Sequence, residues 1–300
     1  MLQKVQNAMD ENEKARELEL VKLSVSAAQC STDGKINEKI LNDELRNNLK
    51  IESTVKEFTN FYFFSANQNY KIYKDGKVEV NELLPDEYQQ VGYIESTGTQ
   101  YIDTKYFSNS KTAVDIICSY INGNNGQWSN GQIFGSANSQ EGVTRLSVDI
   151  TLKNAIRLSY GESGVIMSNE IEKNKIYNIN ITRKGMKIND EIVGTESEID
   201  LLNGVQTNSA YLFARHQPVW NAYSGFIGRI YSCKIIEDDK CIKYFIPCYT
   251  TGIVNDVDAI QRPVGTVGMY DTVNGQFYVN KGTGTFGYEK QDGTYVTPKN

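Results

Sequence analysis

Glu198 and Asp200 stand two residues apart, so on a strand both carboxylates would share one face, as acid–base chemistry at a glycosidic bond requires. A further acid on the same face would fall at the next alternate position. Leu202 stands there instead, and the segment reads better as a polar turn after Gly194. The chain has 1 histidine, His216, so a Ser-His-Asp site would rest on it alone, and no Gly-x-Ser-x-Gly elbow occurs. A single histidine also excludes a histidine-rich metal centre. The chemistry of this chain is therefore expected to be non-catalytic.

Binding a sugar asks for less. Pyranose rings stack their apolar faces on aromatic side chains, while amides, carboxylates and arginine bond the hydroxyls. Two clusters have that composition. Trp128 lies among Asn125, Gln127 and glycines, in a stretch read as a loop over residues 122–132. Arg215, His216, Trp220 and Tyr223 follow a strand-like run and belong at a sandwich rim, with Arg145 able to join a concave face. The competing reading is structural: each tryptophan caps the core under a long loop, and Asn-Gly loops are simply good turns.

The elements that must position these residues change character near Pro85. Before it, Leu18, Val21, Val25 and Ala28 recur at helix spacing, and residues 3–16 continue that helix with only a thin apolar stripe. Ser31-Thr32-Asp33-Gly34 reads as a stop, and Leu41, Leu45 and Leu49 mark one face of a second helix. A hairpin is expected around Asp75-Gly76. From residue 84 to about 287 the pattern is almost wholly β. Strands are expected at 101–106, 113–121, 145–150, 156–160, 176–182, 210–214, 225–236, 241–249, 267–270 and 276–279, with turns at Lys184-Gly185, Asn189-Asp190 and Asp238-Asp239. Ten or so short strands imply a sandwich or barrel. Gly98-Thr99-Gln100-Tyr101 is echoed by Gly282-Thr283-Gly284-Thr285-Phe286, which suggests that the first and last strands lie side by side. Residues 291–300 are polar and expected to fray.

Composition narrows the partners. With 39% hydrophobic and 23% charged residues the chain suits a folded domain, and a formal net charge of −6 makes nucleic acid a poor partner. No run of 18 apolar residues occurs, and no apolar region follows Met1-Leu2-Gln3-Lys4 as a signal peptide would need. That leaves either a cytoplasmic protein or a chain lacking its natural beginning. The cysteines at 30, 118, 233, 241 and 248 match no common zinc spacing and read mainly as small buried thiols. If residues 236 and 241 pair across the turn, residue 233 pairs with 244, so a direct 233–248 bridge would need a bulge.

Two resemblances follow. Gly92-Tyr93-Ile94-Glu95-Ser96-Thr97-Gly98-Thr99-Gln100-Tyr101-Ile102-Asp103, Asn180-Ile181-Thr182-Arg183-Lys184-Gly185-Met186-Lys187-Ile188-Asn189-Asp190, Gly225-Phe226-Ile227-Gly228-Arg229-Ile230-Tyr231 and Gly268-Met269-Tyr270-Asp271-Thr272-Val273-Asn274-Gly275-Gln276-Phe277-Tyr278 resemble the concanavalin A-like, laminin-G-type lectin domains of Gram-positive surface and phage-tail proteins. The usual glycine of the Asn-Gly hairpin is Asp190 here. The likeness implies a jelly-roll β-sandwich over residues 84–290. Some sandwiches of this kind are glycoside hydrolases with a Glu-x-Asp-x-Glu strand, which Leu202 interrupts. Others carry calcium, for which Asp103, Asp256 and Asp258 are the acids to consider, although no ligand set assembles from the sequence. At the front, Gln6-Asn7-Ala8 through Ala28, Thr32-Asp33-Gly34-Lys35 and Tyr70-Lys71-Ile72-Tyr73-Lys74-Asp75-Gly76-Lys77 resemble type IV pilin-like or pseudopilin-like proteins. That likeness implies an α+β domain over residues 1–83, whose first helix would meet filament subunits and would reach a membrane only through an apolar half lying upstream. Together they imply an extracellular adhesion protein on a cell surface or filament that binds a glycan or host receptor. A phage-tail protein, a structural spacer and a glycoside hydrolase are the alternatives.

Overall fold

The computed structural model describes residues 2–29, 36–49, 60–64, 69–73, 75–81, 84–123, 129–138, 144–195, 202, 204–218, 221–290 and 294–299. The chain forms two compact units, one within Met1–Leu83 and one comprising Leu84–Lys290 with Thr294–Asn300.

In the first unit, α1 (Leu2–Ala28) and α2 (Glu38–Leu49) accompany an antiparallel sheet of β1 (Asn60–Phe64), β2 (Asn69–Tyr73) and β3 (Val78–Asn81), in the order β1-β2-β3. The helix-spaced apolar residues meet here: Val21, Val25, Ala28, Leu41 and Leu45 are buried with Tyr70 and Ile72, and Leu18 and Leu49 pack at the margin. Asn37 caps α2, its Oδ1 accepting from the Ile40 amide at 3.1 Å. The hairpin at Asp75-Gly76 forms as its residue types demand, with Gly76 at φ +85°. Cys30 and the turn at residues 31–34 lie outside the described residues.

The second unit is mainly β. Its strands in chain order are β4 (Tyr88–Gln90), β5 (Ile94–Thr97), β6 (Ile102–Asp103), β7 (Thr112–Asn122), β8 (Gly131–Ala137), β9 (Arg145–Ile150), β10 (Ala155–Gly161), β11 (Gly164–Glu170), β12 (Ile176–Thr182), β13 (Gly185–Ile188) and β14 (Glu191–Thr195). There follow β15 (Tyr211–Leu212), β16 (Arg215–Gln217), β17 (Asn221–Tyr223), β18 (Ile227–Glu237), β19 (Lys240–Thr250), β20 (Val254–Asn255), β21 (Gln261–Arg262), β22 (Val267–Asp271), β23 (Gln276–Val279), β24 (Gly287–Glu289) and β25 (Tyr295–Val296). An eight-stranded sheet runs β11-β10-β9-β8-β15-β6, with β16 and β17 attached. A twelve-stranded sheet runs β14-β13-β12-β7-β18-β19-β22-β23, with β4, β5, β24 and β25 attached. Both sheets feed one hydrophobic core, as in a β-sandwich. Leu146, Val148, Ile150, Ile156 and Leu158 come from the first sheet, and Val114, Ile116, Ile179, Ile181, Ile230 and Ile235 from the second. Each such side chain contributes about 2 kcal/mol by leaving water.

Several expectations need correction. Residues 101–106 hold strand pairing only at Ile102–Asp103, because the Tyr101 amide bonds Asn280 Oδ1 at 3.1 Å and Lys105 turns the chain at φ +55°. Residues 210–214 are likewise a strand only at Tyr211–Leu212. Residues 131–132, read as the end of a loop, begin the fully buried strand β8. The tail is held from 294 to 299: β25 pairs with β24, Tyr295 donates its hydroxyl to Glu95 Oε1 at 2.6 Å, and Thr285 and Lys299 exchange backbone bonds. Ile236 does pair with Cys241, but a bulge beside it sets Cys233 opposite Phe245 rather than residue 244. Cys118, Cys233, Cys241 and Cys248 are free thiols. The echoing segments do lie together, with the Thr283 amide donating to the Thr99 carbonyl at 3.2 Å. Asn189-Asp190 and Asp238-Asp239 adopt the paired positive φ of tight hairpin turns, so Asp190 takes the conformation that glycine usually supplies.

Candidate functional site

The two sheets treat their outer faces differently. β12 alternates between buried and half-exposed residues along its whole length, as a strand with one wet face does. β8 is buried at every position and β9 at all but its first. Leu146, Val148 and Ile150 face the core, so Arg145, Ser147 and Asp149 must face away from it. The face opposite the core is therefore polar yet enclosed.

The register arranges this face in rows across the strands. Met167, Arg157, Asp149 and Gln132 form one row, from β11 through β10 and β9 to β8. The next row is Val165, Ser159, Ser147 and Gly135, continued by Tyr211 on β15 and Asp103 on β6. A third holds Gly161, Arg145 and Ala137. The middle row is small in its centre. Gly135 sits at φ +154°, where an added Cβ would lie 2.5 Å from the Leu146 carbonyl oxygen and 2.7 Å from Ser147 Cα. At the β11 end Val165 and Met167 are exposed, giving the face an apolar margin beside its polar middle.

Asp149 is the centre of the arrangement and is 1% exposed. All its donors converge on one oxygen. Oδ2 accepts from Arg157 Nη2 at 2.9 Å, Arg157 Nε at 3.2 Å and Gln132 Nε2 at 3.2 Å. Oδ1 accepts nothing, and neither do Gln132 Oε1, Ser147 Oγ or Ser159 Oγ, all of them buried. Burial raises the Asp149 pKa, against the opposing pull of Arg157 and, more weakly, of Arg215. Loss of hydration lowers the pKa of Arg145, and repulsion from Arg157 adds to it.

The candidate residues named from sequence meet this face in part. Arg145 stands on it, and Arg215, on β16, lies close enough to Asp149 to act on its charge while donating to Gln217 Oε1 at 2.7 Å. His216 is used structurally. It stacks on Tyr211 at 4.2 Å between centroids, and Tyr211 stacks on Tyr101 at 4.7 Å. His216 Nδ1 lies 3.0 Å from the Ser209 carbonyl, which only accepts, so this nitrogen carries the proton. Ser209 Oγ donates to Asp103 Oδ1 at 2.6 Å. The serine thus lies between acid and histidine, not beside a histidine that an acid orients, and this is not a hydrolase triad. Tyr223 lies on β17 opposite Arg215. Trp128, Asn125, Gln127 and Trp220 lie outside the described residues, as do Glu198 and Asp200; Leu202 is buried in the core.

The acids considered for calcium do not fit it. Lys105 Nζ lies 3.0 Å from Asp103 Oδ2 and 3.2 Å from Asp258 Oδ1, so an ammonium holds the place between two carboxylates that a cation would take. Lys281 also pairs with Asp258. Asp256 is bound by Arg262 at 2.5 Å and by the amides of Asp258 and Ile260. Among the described residues no group of three or more His, Cys, Asp and Glu side chains could hold a metal.

Asp149, Arg157 and Gln132 escaped the sequence reading, although a signal was present. Arg145-Leu146-Ser147-Val148-Asp149-Ile150 and Ile156-Arg157-Leu158-Ser159-Tyr160 alternate apolar with polar, which places every polar member on Arg145's side. Alternation alone reads as a wet face, and only the structure shows that face enclosed. Comparison with known proteins adds no assignment: no family model, curated protein or solved structure matches the chain.

Proposed function

We propose that this is a non-catalytic adhesion protein whose second unit, a concanavalin A-like jelly roll, binds glycans, while the first unit, pilin-like in character, serves a surface filament. The observation that carries the reading is the outer face of the eight-stranded sheet. It joins charged and amide side chains, a row of small residues and an apolar margin, as a ring with hydroxyl edges and apolar faces requires. The spacing of acids favours binding over cleavage. Asp149 on β9 and Asp103 on β6 are three strands apart, about 14 Å at the usual strand spacing. Glycosidic carboxylates work at roughly 5–9.5 Å. Asp103 is moreover engaged by Lys105 and Ser209. Weak binding at each copy, multiplied along a surface, would give firm attachment. A glycan-array screen of the whole chain tests the reading. Defined hits support it, and a negative result on folded protein sinks it in favour of a structural spacer.

A further inference from the structure

The bonding around Asp149 says more about the ligand than the face as a whole does. A carboxylate beside a guanidinium ordinarily shares its two oxygens between the two N–H arms. Here Arg157 and Gln132 place three N–H groups on Oδ2, leaving Oδ1 without a donor although the residue is 1% exposed. Gln132 turns its amide nitrogen to Asp149 and leaves Oε1 without a donor too. Gln132 Oε1 can only accept, and so can Asp149 Oδ1 while the carboxyl is ionised. The hydroxyls of Ser147 and Ser159, in the adjoining row, are equally unpartnered. Buried polar groups are rarely left so, and these four share one face of the sheet.

Resting on the glycan-binding reading, we infer that Asp149 Oδ1 and Gln132 Oε1 are the acceptors that read the ligand, and that the ligand is a neutral saccharide presenting adjacent hydroxyls as donors. Arg145, Arg157 and Arg215 bring positive charge to this face, but an anionic sugar group offers acceptors to Asp149 Oδ1 and Gln132 Oε1, which need donors. A hydroxyl pair satisfies both atoms and can bond Ser147 and Ser159 in return. The four oxygens lie beneath the molecular surface, so a ligand reaches them only if this face opens. That requirement selects for ligands able to satisfy several acceptors together. The apolar margin at Val165 and Met167, on the same rows, suits the hydrophobic face of a neighbouring ring.

The test compares the whole chain with its Ser147→Ala and Asp149→Asn variants on arrays of neutral oligosaccharides and of uronate-bearing, sialylated and sulfated ones, with a thermal melt of each protein. Neutral glycans should bind. Asp149→Asn, which turns an acceptor into a donor, should weaken binding at least ten-fold. Ser147→Ala should also weaken it while leaving the melting temperature unchanged or higher, because it removes a buried hydroxyl that has no partner. A protein holding these groups for packing, or around a buried water, would show the reverse: a lower melting temperature with binding intact. That result, or hits confined to anionic glycans, overturns the inference and leaves the glycan-binding reading standing. A screen without any hit overturns both.

Discussion

Two aspartates in the second unit are enclosed to the same degree and bonded in opposite ways. Asp271, at the end of β22, is 0% exposed and fully engaged: Oδ1 accepts from the amides of Tyr244 and Val273, and Oδ2 from Lys243 and Asn274. Asp149, on β9, is 1% exposed and engaged at one oxygen only. The first ties β19 to the β22–β23 hairpin and has nothing left to offer. The second carries a desolvation cost that its own sheet does not offset. Burial alone therefore does not tell the two acids apart; the distribution of donors over their two oxygens does.

The largest effect should come from breaking that contrast with one chemical change at both sites. Asp271→Asn must turn an amide N–H₂ toward donors whichever way it sits, and it leaves Lys243, with its side chain 12% exposed, without a counter-charge. We expect a loss of about 3–5 kcal/mol in denaturant unfolding. Asp149→Asn also removes the counter-charge of Arg157, but that side chain is 28% exposed and the new N–H₂ can sit where no donor stands, so a smaller loss of about 1–2 kcal/mol is expected. Equal losses would erase the distinction.

A smaller effect should come from Gly135→Ala, in the narrow row beside Asp149. The new methyl meets the backbone of Leu146 and Ser147 and should cost about 1–3 kcal/mol in the same measurement. A neutral outcome would mean that β8 and β9 can part at this row.

Titration sharpens the comparison further. The Asp149 pKa is raised, chiefly by desolvation, so the folded state binds its proton more tightly than the unfolded chain does. Its contribution to stability is full below the ordinary aspartate pKa and is lost as the pH rises through the raised value. Asp258 runs the other way. Its bond to Lys281 lowers its pKa, with Lys105 adding to the effect. Its contribution is present above the ordinary value and is lost as the pH falls through the lowered one. Differences in melting temperature between wild type and Asp149→Asn, and between wild type and Asp258→Asn, should therefore slope oppositely with pH. Parallel slopes would refute the assigned environments. The smallest effect is expected of Met167→Ser, within about 0.5 kcal/mol because the side chain is exposed, yet it should weaken any glycan binding that uses the apolar margin.

Much of this architecture was legible in the residues. Leu18, Val21, Val25, Leu41 and Leu45 announced the helices through their spacing, and β9, β12 and β23 through alternation, because periodicity follows from local geometry. Asn189-Asp190 and Asp238-Asp239 announced hairpins because few residue types tolerate their φ values. The strand at Gly131–Ala137 was illegible, since a strand buried on both faces shows no alternation. The order of the tail was also hidden. It depends on Glu95, some 200 residues away in sequence, accepting from Tyr295.

The same division holds at the candidate site. Sequence by itself determined that Arg145, Ser147 and Asp149 share a face, because alternate residues on a strand must. Tertiary structure decided which strand lies beside which, and so brought Arg157 and Gln132 to a single oxygen of Asp149. It also decided that a face patterned as if for water would be enclosed. Both follow from long-range pairing, in which the partner of a residue is set by sheet register and not by its neighbours along the chain.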